Sequence, residues 1–109
     1  MEIEKLKKQY LPMSETAYYI LLSLTERGHG YGIMQHVEMI TNGRIRLGAG
    51  TLYGSLSKME NEGFIVPVAE EDRRKIYKAT DLGNKLLELE IERLKELYDN
   101  GLKYRGALL

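Results

Sequence analysis

Apolar residues recur along this chain at helical spacing, in stripes separated by short clusters of glycine, proline and asparagine. Ile3, Leu6 and Tyr10 sit among charges at three- and four-residue steps. That spacing predicts a short amphipathic helix over 2–11, ended by Pro12. Ser14 is placed to cap a second helix carrying Ala17, Tyr18, Ile20, Leu21, Leu22 and Leu24. Its apolar positions run nearly all round the wheel, so it belongs at the centre of the fold. Gly28-His29-Gly30 connects it tightly to a third helix. There the inward stripe is Tyr31, Ile33, Met34, Val37 and Ile40, and Asn42-Gly43 is the stop.

Arg44-Ile45-Arg46-Leu47 alternates charged and apolar residues, which is a strand pattern. Gly48-Ala49-Gly50-Thr51 opens a fourth helix over Gly50–Glu62, with Leu52, Leu56 and Met59 inward and Gly63 as its stop. Phe64–Val68 reads as a strand, and Pro67 puts it at a sheet edge. Ala69-Glu70-Glu71-Asp72 is expected to reverse the chain, and Arg73–Ala79 to return as the paired strand. Thr80 or Asp81 caps a last helix of about 24 residues. The tail 101–109 is expected to fray. Between an added helix at each end, the order is helix, helix, short strand, helix, hairpin. That is the order of a winged helix-turn-helix.

The chain has 109 residues, enough for one core without staples. No apolar run reaches membrane-spanning length, and the first residues lack the apolar stretch of a secretory signal. A cytoplasmic protein is expected. Cysteine is absent, which excludes disulfides, a thiol nucleophile and thiolate metal sites. His29 and His36 have no acidic partner at ligand spacing, so no metal is expected. No nucleophile elbow or dinucleotide glycine pattern is present, so neither catalytic residues nor a cofactor is expected. Sixteen basic and sixteen acidic residues cancel. Zero net charge removes the simple electrostatic argument for nucleic acid, yet leaves room for a local basic surface.

Two such surfaces stand out. On a wheel at about 100° per residue, the fourth helix turns Gly50, Thr51, Gly54, Ser57, Lys58 and Asn61 away from its core side. Two glycines weaken a helix by roughly 1 kcal/mol each. A backbone that must approach DNA closely is one reason to keep them. Thr51, Ser57 and Asn61 can bond phosphates or base edges, Lys58 adds a charge, and Tyr53 at the flank can offer its hydroxyl to a phosphate. The other reading of the same face is a solvated helix surface. The second surface is Arg73-Arg74-Lys75 at the hairpin. Alternation puts Arg73 and Lys75 on one side and Arg74 on the other. A basic hairpin tip can lie along a phosphate backbone or enter the minor groove. Glu70, Glu71 and Asp72 stand beside it, and neutralisation by them is the alternative.

The last helix carries two apolar stripes. Leu82, Leu86, Leu89 and Leu97 form one; Leu87, Ile91, Leu94, Tyr98 and Leu102 form the other. One stripe can lie on its own domain. The second is expected to meet the same helix of a second chain, making a homodimer. The alternative is one wide face covered by the N-terminal helix. The expected fold class is therefore mostly α with a small β-hairpin. It comprises a winged helix-turn-helix, a short N-terminal helix and a long C-terminal dimerisation helix. Residues 1–80 form the DNA-binding unit, N-terminal helix 2–11 included, and 81–109 the dimerisation helix.

Gly30-Tyr31-Gly32-Ile33, Gly50-Thr51-Leu52-Tyr53 with Leu56, Met59-Glu60 and Gly63-Phe64-Ile65, and Arg73-Arg74-Lys75-Ile76-Tyr77 with Thr80 and Gly83 form a linked set. From Ser14 to Gly83 the chain resembles the PadR family of bacterial and archaeal transcriptional regulators. The single long C-terminal helix resembles that of its short-form members. The resemblance implies a homodimeric repressor on a two-fold symmetric operator in double-stranded DNA. It also implies release by a small aromatic effector, which many such regulators bind. Two departures stand out. Gly54 occupies a position where the family usually has proline, and the chain has no tryptophan to sandwich a flat ligand. Tyr98 is the nearest aromatic substitute, and Tyr10, Tyr98 and Tyr104 are the candidates to line a pocket at the dimer interface. Two rival functions remain. One is a winged-helix protein-interaction module without specific DNA binding, and the other a small-molecule sensor acting through dimer geometry.

Overall fold

The computed structural model describes residues 2–108. Its elements run α1 (Ile3–Tyr10), α2 (Glu15–Ser23), α3 (Gly30–Ile40), α4 (Ala49–Asn61), β1 (Ile65–Glu71), β2 (Arg74–Ala79), α5 (Asp81–Lys103) and α6 (Arg105–Leu108). The fold is mostly helical with one antiparallel hairpin, as the patterns imply.

Local chemistry sets the helix ends. Ser14 Oγ accepts the Ala17 N–H at 3.0 Å, and Thr80 Oγ1 accepts the Gly83 N–H at 3.1 Å. Each side chain meets one of the orphan donors that a helix start leaves. Asn42 and Gly43 both take positive φ and end α3. Leu6, Ile20, Leu21 and Leu24 are fully buried and meet Ile33, Val37, Leu52, Leu56 and Phe64 in one core. Burying a side chain of this size contributes roughly 1.5–3 kcal/mol. Leu86, Leu87 and Leu89 enter the same core, so the start of α5 is packed into the winged unit. Beyond Glu90 the apolar side chains Ile91, Leu94, Leu97, Tyr98 and Leu102 are exposed, while Glu92, Arg93 and Glu96 still line a cavity with Lys7, Leu11 and Pro12. The body measures 54 × 36 × 21 Å.

The structure corrects five expectations. Residues 44–47 are not a strand. Their alternation has another cause: Ile45 and Leu47 lean on the core, Arg44 pairs with Glu15, and Arg46 Nε meets Glu38 at 2.8 Å. The ladder position beside β2 is taken by Gly28, whose N–H and C=O both bond Tyr77. In the hairpin, β1 continues through Glu71, and the reversal is Asp72-Arg73, both at positive φ. Two left-handed residues match a type I′ turn, whose twist suits a two-residue hairpin. Arg73 is thus the turn itself and not a strand residue. Tyr31 and Ile40, expected on the inward stripe of α3, are 51% and 40% exposed. On α5, Leu87 and Leu97 exchange places with respect to the wheel: Leu87 is 3% exposed and Leu97 55%. Finally, residues 101–108 are helical apart from a turn at Tyr104. Leu109, also in the expected frayed tail, lies outside the described residues, as does Met1 of the expected 1–80 unit.

Candidate nucleic-acid interface

α4 starts at Gly48, which caps it without a side-chain bond. Leu52, Leu56 and Met59 anchor its inner side. Gly50, Thr51, Gly54, Ser57, Lys58 and Asn61 are all exposed on the outer side. A Cβ placed on Gly50 or Gly54 would meet nothing within 4 Å. The glycines are therefore not required by packing inside the chain. The helix nevertheless runs unbroken through Gly54.

Tyr53 leaves α4 on the flank toward the hairpin. A Cβ on Gly30 would stand 2.6 Å from its hydroxyl oxygen. Only a glycine at the start of α3 lets that hydroxyl rest there. Gly30, Tyr53, Arg73, Arg74, Lys75 and Tyr77 line one cleft of about 260 Å³. The fold thereby joins one α4 candidate, Tyr53, to the three hairpin candidates. Lys58 leaves the opposite flank of α4, where it borders a separate cavity of about 390 Å³ beside Tyr10, Pro12 and Ser14.

The basic triplet makes no direct ion pair with its acidic neighbours among the described residues. Glu70 stands opposite Lys75 and Glu71 opposite Arg74 in the ladder. Glu71 turns instead to Arg27, 3.6 Å away, and the Arg74 guanidinium lies over the Tyr31 ring at 5.9 Å from its centroid. Sequence patterns missed Gly30, Tyr31 and Tyr77. Gly30 and Tyr31 belong to the Gly-Tyr-Gly run, where one exposed aromatic between two glycines was the available signal.

The histidines are structural. His29 Nδ1 accepts the Gly32 N–H at 3.1 Å and caps α3, and His36 Nδ1 bonds Ser23 Oγ at 2.8 Å. Among the described residues no cluster of metal ligands forms, and no helix is long and apolar enough to cross a membrane.

On α5, Ile91, Leu94, Leu97, Tyr98 and Leu102 are exposed. Leu87, grouped with them on the wheel, is withdrawn into the chain's own core. At the foot of this stripe Glu90 is 1% exposed. Its Oε2 accepts the Met13 N–H at 2.7 Å, and its carboxylate also pairs with Arg93. Glu90 and Arg93 line a cavity of about 350 Å³ together with Met13, Glu15, Tyr18, Tyr19 and Leu94. Burial pushes the Tyr18 phenol above its ordinary pKa, helped by Tyr19 and Glu90. Tyr10 packs edge-on against Phe64, with ring centroids 4.8 Å apart, while Tyr98 and Tyr104 stand exposed near the other end of α5.

Comparison with known proteins agrees with this architecture. A solved transcriptional regulator from Clostridium thermocellum superposes with a TM-score of 0.70 at 23% identity, over 92% of this chain and 97% of that one. A PadR-like transcription factor from Bacteroides fragilis gives a TM-score of 0.68 at 28% identity, over 78% of this chain and 84% of that one. An uncharacterized 37.1 kDa protein in transposon Tn4556 of Streptomyces fradiae is 35% identical over 69 residues. That match takes in 63% of this chain and spans 19% of the longer relative. The model of the transcriptional regulator PadR-like family matches residues 3–89. Most of the chain thus fits the family pattern, and it belongs to the PadR-like family of DNA-binding transcriptional regulators.

Proposed function

We propose that the protein is a homodimeric repressor that binds a two-fold symmetric operator in double-stranded DNA. α4 enters the major groove of each half-site. Thr51, Ser57 and Asn61 meet bases or phosphates, Lys58 meets a phosphate, and Gly50 and Gly54 allow close approach. Arg73, Arg74 and Lys75 take the flanking backbone. Half-sites lie about 34 Å apart, one per protomer. Residues 81–109 hold the dimer through Ile91, Leu94, Tyr98 and Leu102, and the protein acts in the cytoplasm.

One observation carries this reading: α4 presents an exposed outer face without apolar side chains, and its two glycines there have no packing neighbour. A helix surface selected only for solubility does not need them, and at the interior position of Gly54 alanine is favoured by about 1 kcal/mol. The exposed stripe on α5 supports the dimer, since a contiguous apolar surface on a small chain marks an association site.

A small aromatic effector releases the operator. The cavity at the foot of the α5 stripe is within the size range of small-molecule sites, and the Tyr18 and Tyr19 rings border it. A thermal-shift screen with planar phenols and aromatic acids tests this part, and a flat response across the panel removes it.

Fluorescence anisotropy with labelled fragments tiled across the protein's own promoter tests the main proposal. It is run at several salt concentrations with non-specific competitor. One fragment bound in the nanomolar range with a steep salt slope supports the repressor. Uniformly weak binding there and in random-sequence selection returns the protein-interaction module.

A further inference from the structure

An arginine at the end of a two-stranded hairpin has a long flexible side chain, and strand geometry alone does not fix its guanidinium. Arg74 is nevertheless placed. It lies over the Tyr31 ring at 5.9 Å from the centroid, a separation at which the negative face of the ring attracts a cation. Tyr31 leaves the first turn of α3 and stands half in solvent, so core packing does not account for it. Its neighbour Gly30 makes room for the Tyr53 hydroxyl. Two adjacent residues of α3 therefore set the walls of the cleft: Gly30 admits the tyrosine of α4, and Tyr31 steadies the arginine of the hairpin.

The side chains around this cleft are of one kind. Tyr53 and Tyr77 carry phenols, Arg73 and Arg74 guanidinium groups, and Lys75 an ammonium. Among the described residues, no carboxylate lines it. The cationic groups can only donate hydrogen bonds. A cluster of this composition fits a compact oxyanion with several acceptor oxygens. At about 260 Å³, the cleft falls below the roughly 300 Å³ at which small-molecule sites begin.

We infer that this cleft seats a single backbone phosphate of the operator, gripped by α4 and the hairpin together, and that Tyr31 is the positioning residue that holds Arg74 to it. The inference rests on the DNA-binding reading above. It makes the contributions of helix and hairpin coupled, because both act on the same charge.

The test uses operator duplexes carrying one uncharged methylphosphonate at each position in turn. The full chain is compared with Tyr53→Phe, Arg74→Ala, Tyr31→Leu and Tyr31→Phe. The parent protein loses affinity at each phosphate that it contacts, about tenfold at the one seated in the cleft of each half-site. Tyr53→Phe and Arg74→Ala bind the unmodified duplex more weakly and lose little more at that position. Tyr31→Leu reproduces part of the Arg74→Ala loss with an unchanged unfolding midpoint. Tyr31→Phe, which keeps the ring face, binds like the parent. Specific binding with no phosphate coupled to Tyr53 and Arg74 overturns the seat and leaves the DNA reading intact. Parent-like binding by Tyr31→Leu, or a Tyr31→Phe loss as large as that of Tyr31→Leu, overturns the positioning role. Failure of the parent to bind any operator specifically overturns the DNA reading and this inference together.

Discussion

Alanine at position 54 separates what α4 needs as a helix from what it needs as a reader of DNA. Gly54 lies in the interior of Ala49–Asn61, on the outer side, with no atom within 4 Å of where a Cβ would stand. The added methyl meets no protein atom. It removes the backbone freedom that glycine gives the unfolded chain. Stability therefore rises by about 0.8–1.0 kcal/mol, the helix-propensity difference at an interior position. In a domain of this size that lifts Tm by roughly 4–8 °C. Binding moves the other way. The methyl pushes the helix axis away from the groove and weakens at least one short polar contact. Such a contact is worth about 1 kcal/mol or slightly more, close to tenfold per half-site and roughly a hundredfold for a symmetric pair. Differential scanning calorimetry and operator titration on the same preparation read both quantities. A variant that is stabilised and binds as tightly as the parent refutes the close-approach argument. A variant that is destabilised refutes the claim of open space.

Gly83 makes the contrasting case. A Cβ there would stand 2.1 Å from the Phe64 carbonyl oxygen, a backbone atom that already accepts the Thr80 N–H at 3.0 Å. Gly83→Ala costs about 2–3 kcal/mol, seen as a lower urea midpoint with an unchanged slope. Leu94→Glu puts a charge on the exposed α5 stripe. Sedimentation then shows monomers where the parent is dimeric, while far-ultraviolet circular dichroism keeps its helical signal. Lys58→Ala lowers the salt slope of operator binding by about one per protomer, and an unchanged slope means that Lys58 does not meet phosphate. The hydrogen bond and charge of Arg44 hold the Glu15 carboxyl below the usual carboxylate range. A depressed folded pKa means that the pair supports the fold above the unfolded pKa and releases as pH falls through the folded one. Carboxyl NMR shows Glu15 titrating low in the parent, and moving up toward ordinary values in Arg44→Ala.

The parts of this fold that could be read from sequence are those decided within a few residues. Ser14, Thr80 and Asn42-Gly43 act on backbone groups next to them, so their roles were visible in the string. The wing's third ladder position was not visible, because Gly28 has no side chain to announce it and its partner Tyr77 is distant in sequence. Arg44–Leu47 imitated a strand because ion pairing and core contact happen to alternate there. The wheel misplaced Leu87 and Leu97 for a different reason. It treats a helix as covered along its whole length, whereas the globule encloses only the start of α5. The α4 face and the basic triplet were legible as composition. That Tyr53, at the flank of this face, meets the triplet around one cleft depends on Gly30, and the placing of Arg74 on Tyr31, both through contacts in space.

The way the hairpin is tied to the body divides it into two mechanical regions. Its base is stitched by backbone bonds from Gly28 to Tyr77 and from Ala79 to Leu24, while β1 breaks register between Pro67 and Ala69. Outward of that irregularity, among the described residues, backbone bonds join only one strand to the other. Side chains alone tie this outer part to the body: Ile76 is buried, Glu71 pairs with Arg27 and Arg74 lies over Tyr31. Its amides therefore exchange with solvent before those of α2. A tip tied to the body by side chains and not by backbone bonds keeps some freedom, and loses it when it is seated. The cost falls on the protein each time it leaves bulk water for a binding site, and shortens its residence on sequences that cannot hold the tip down.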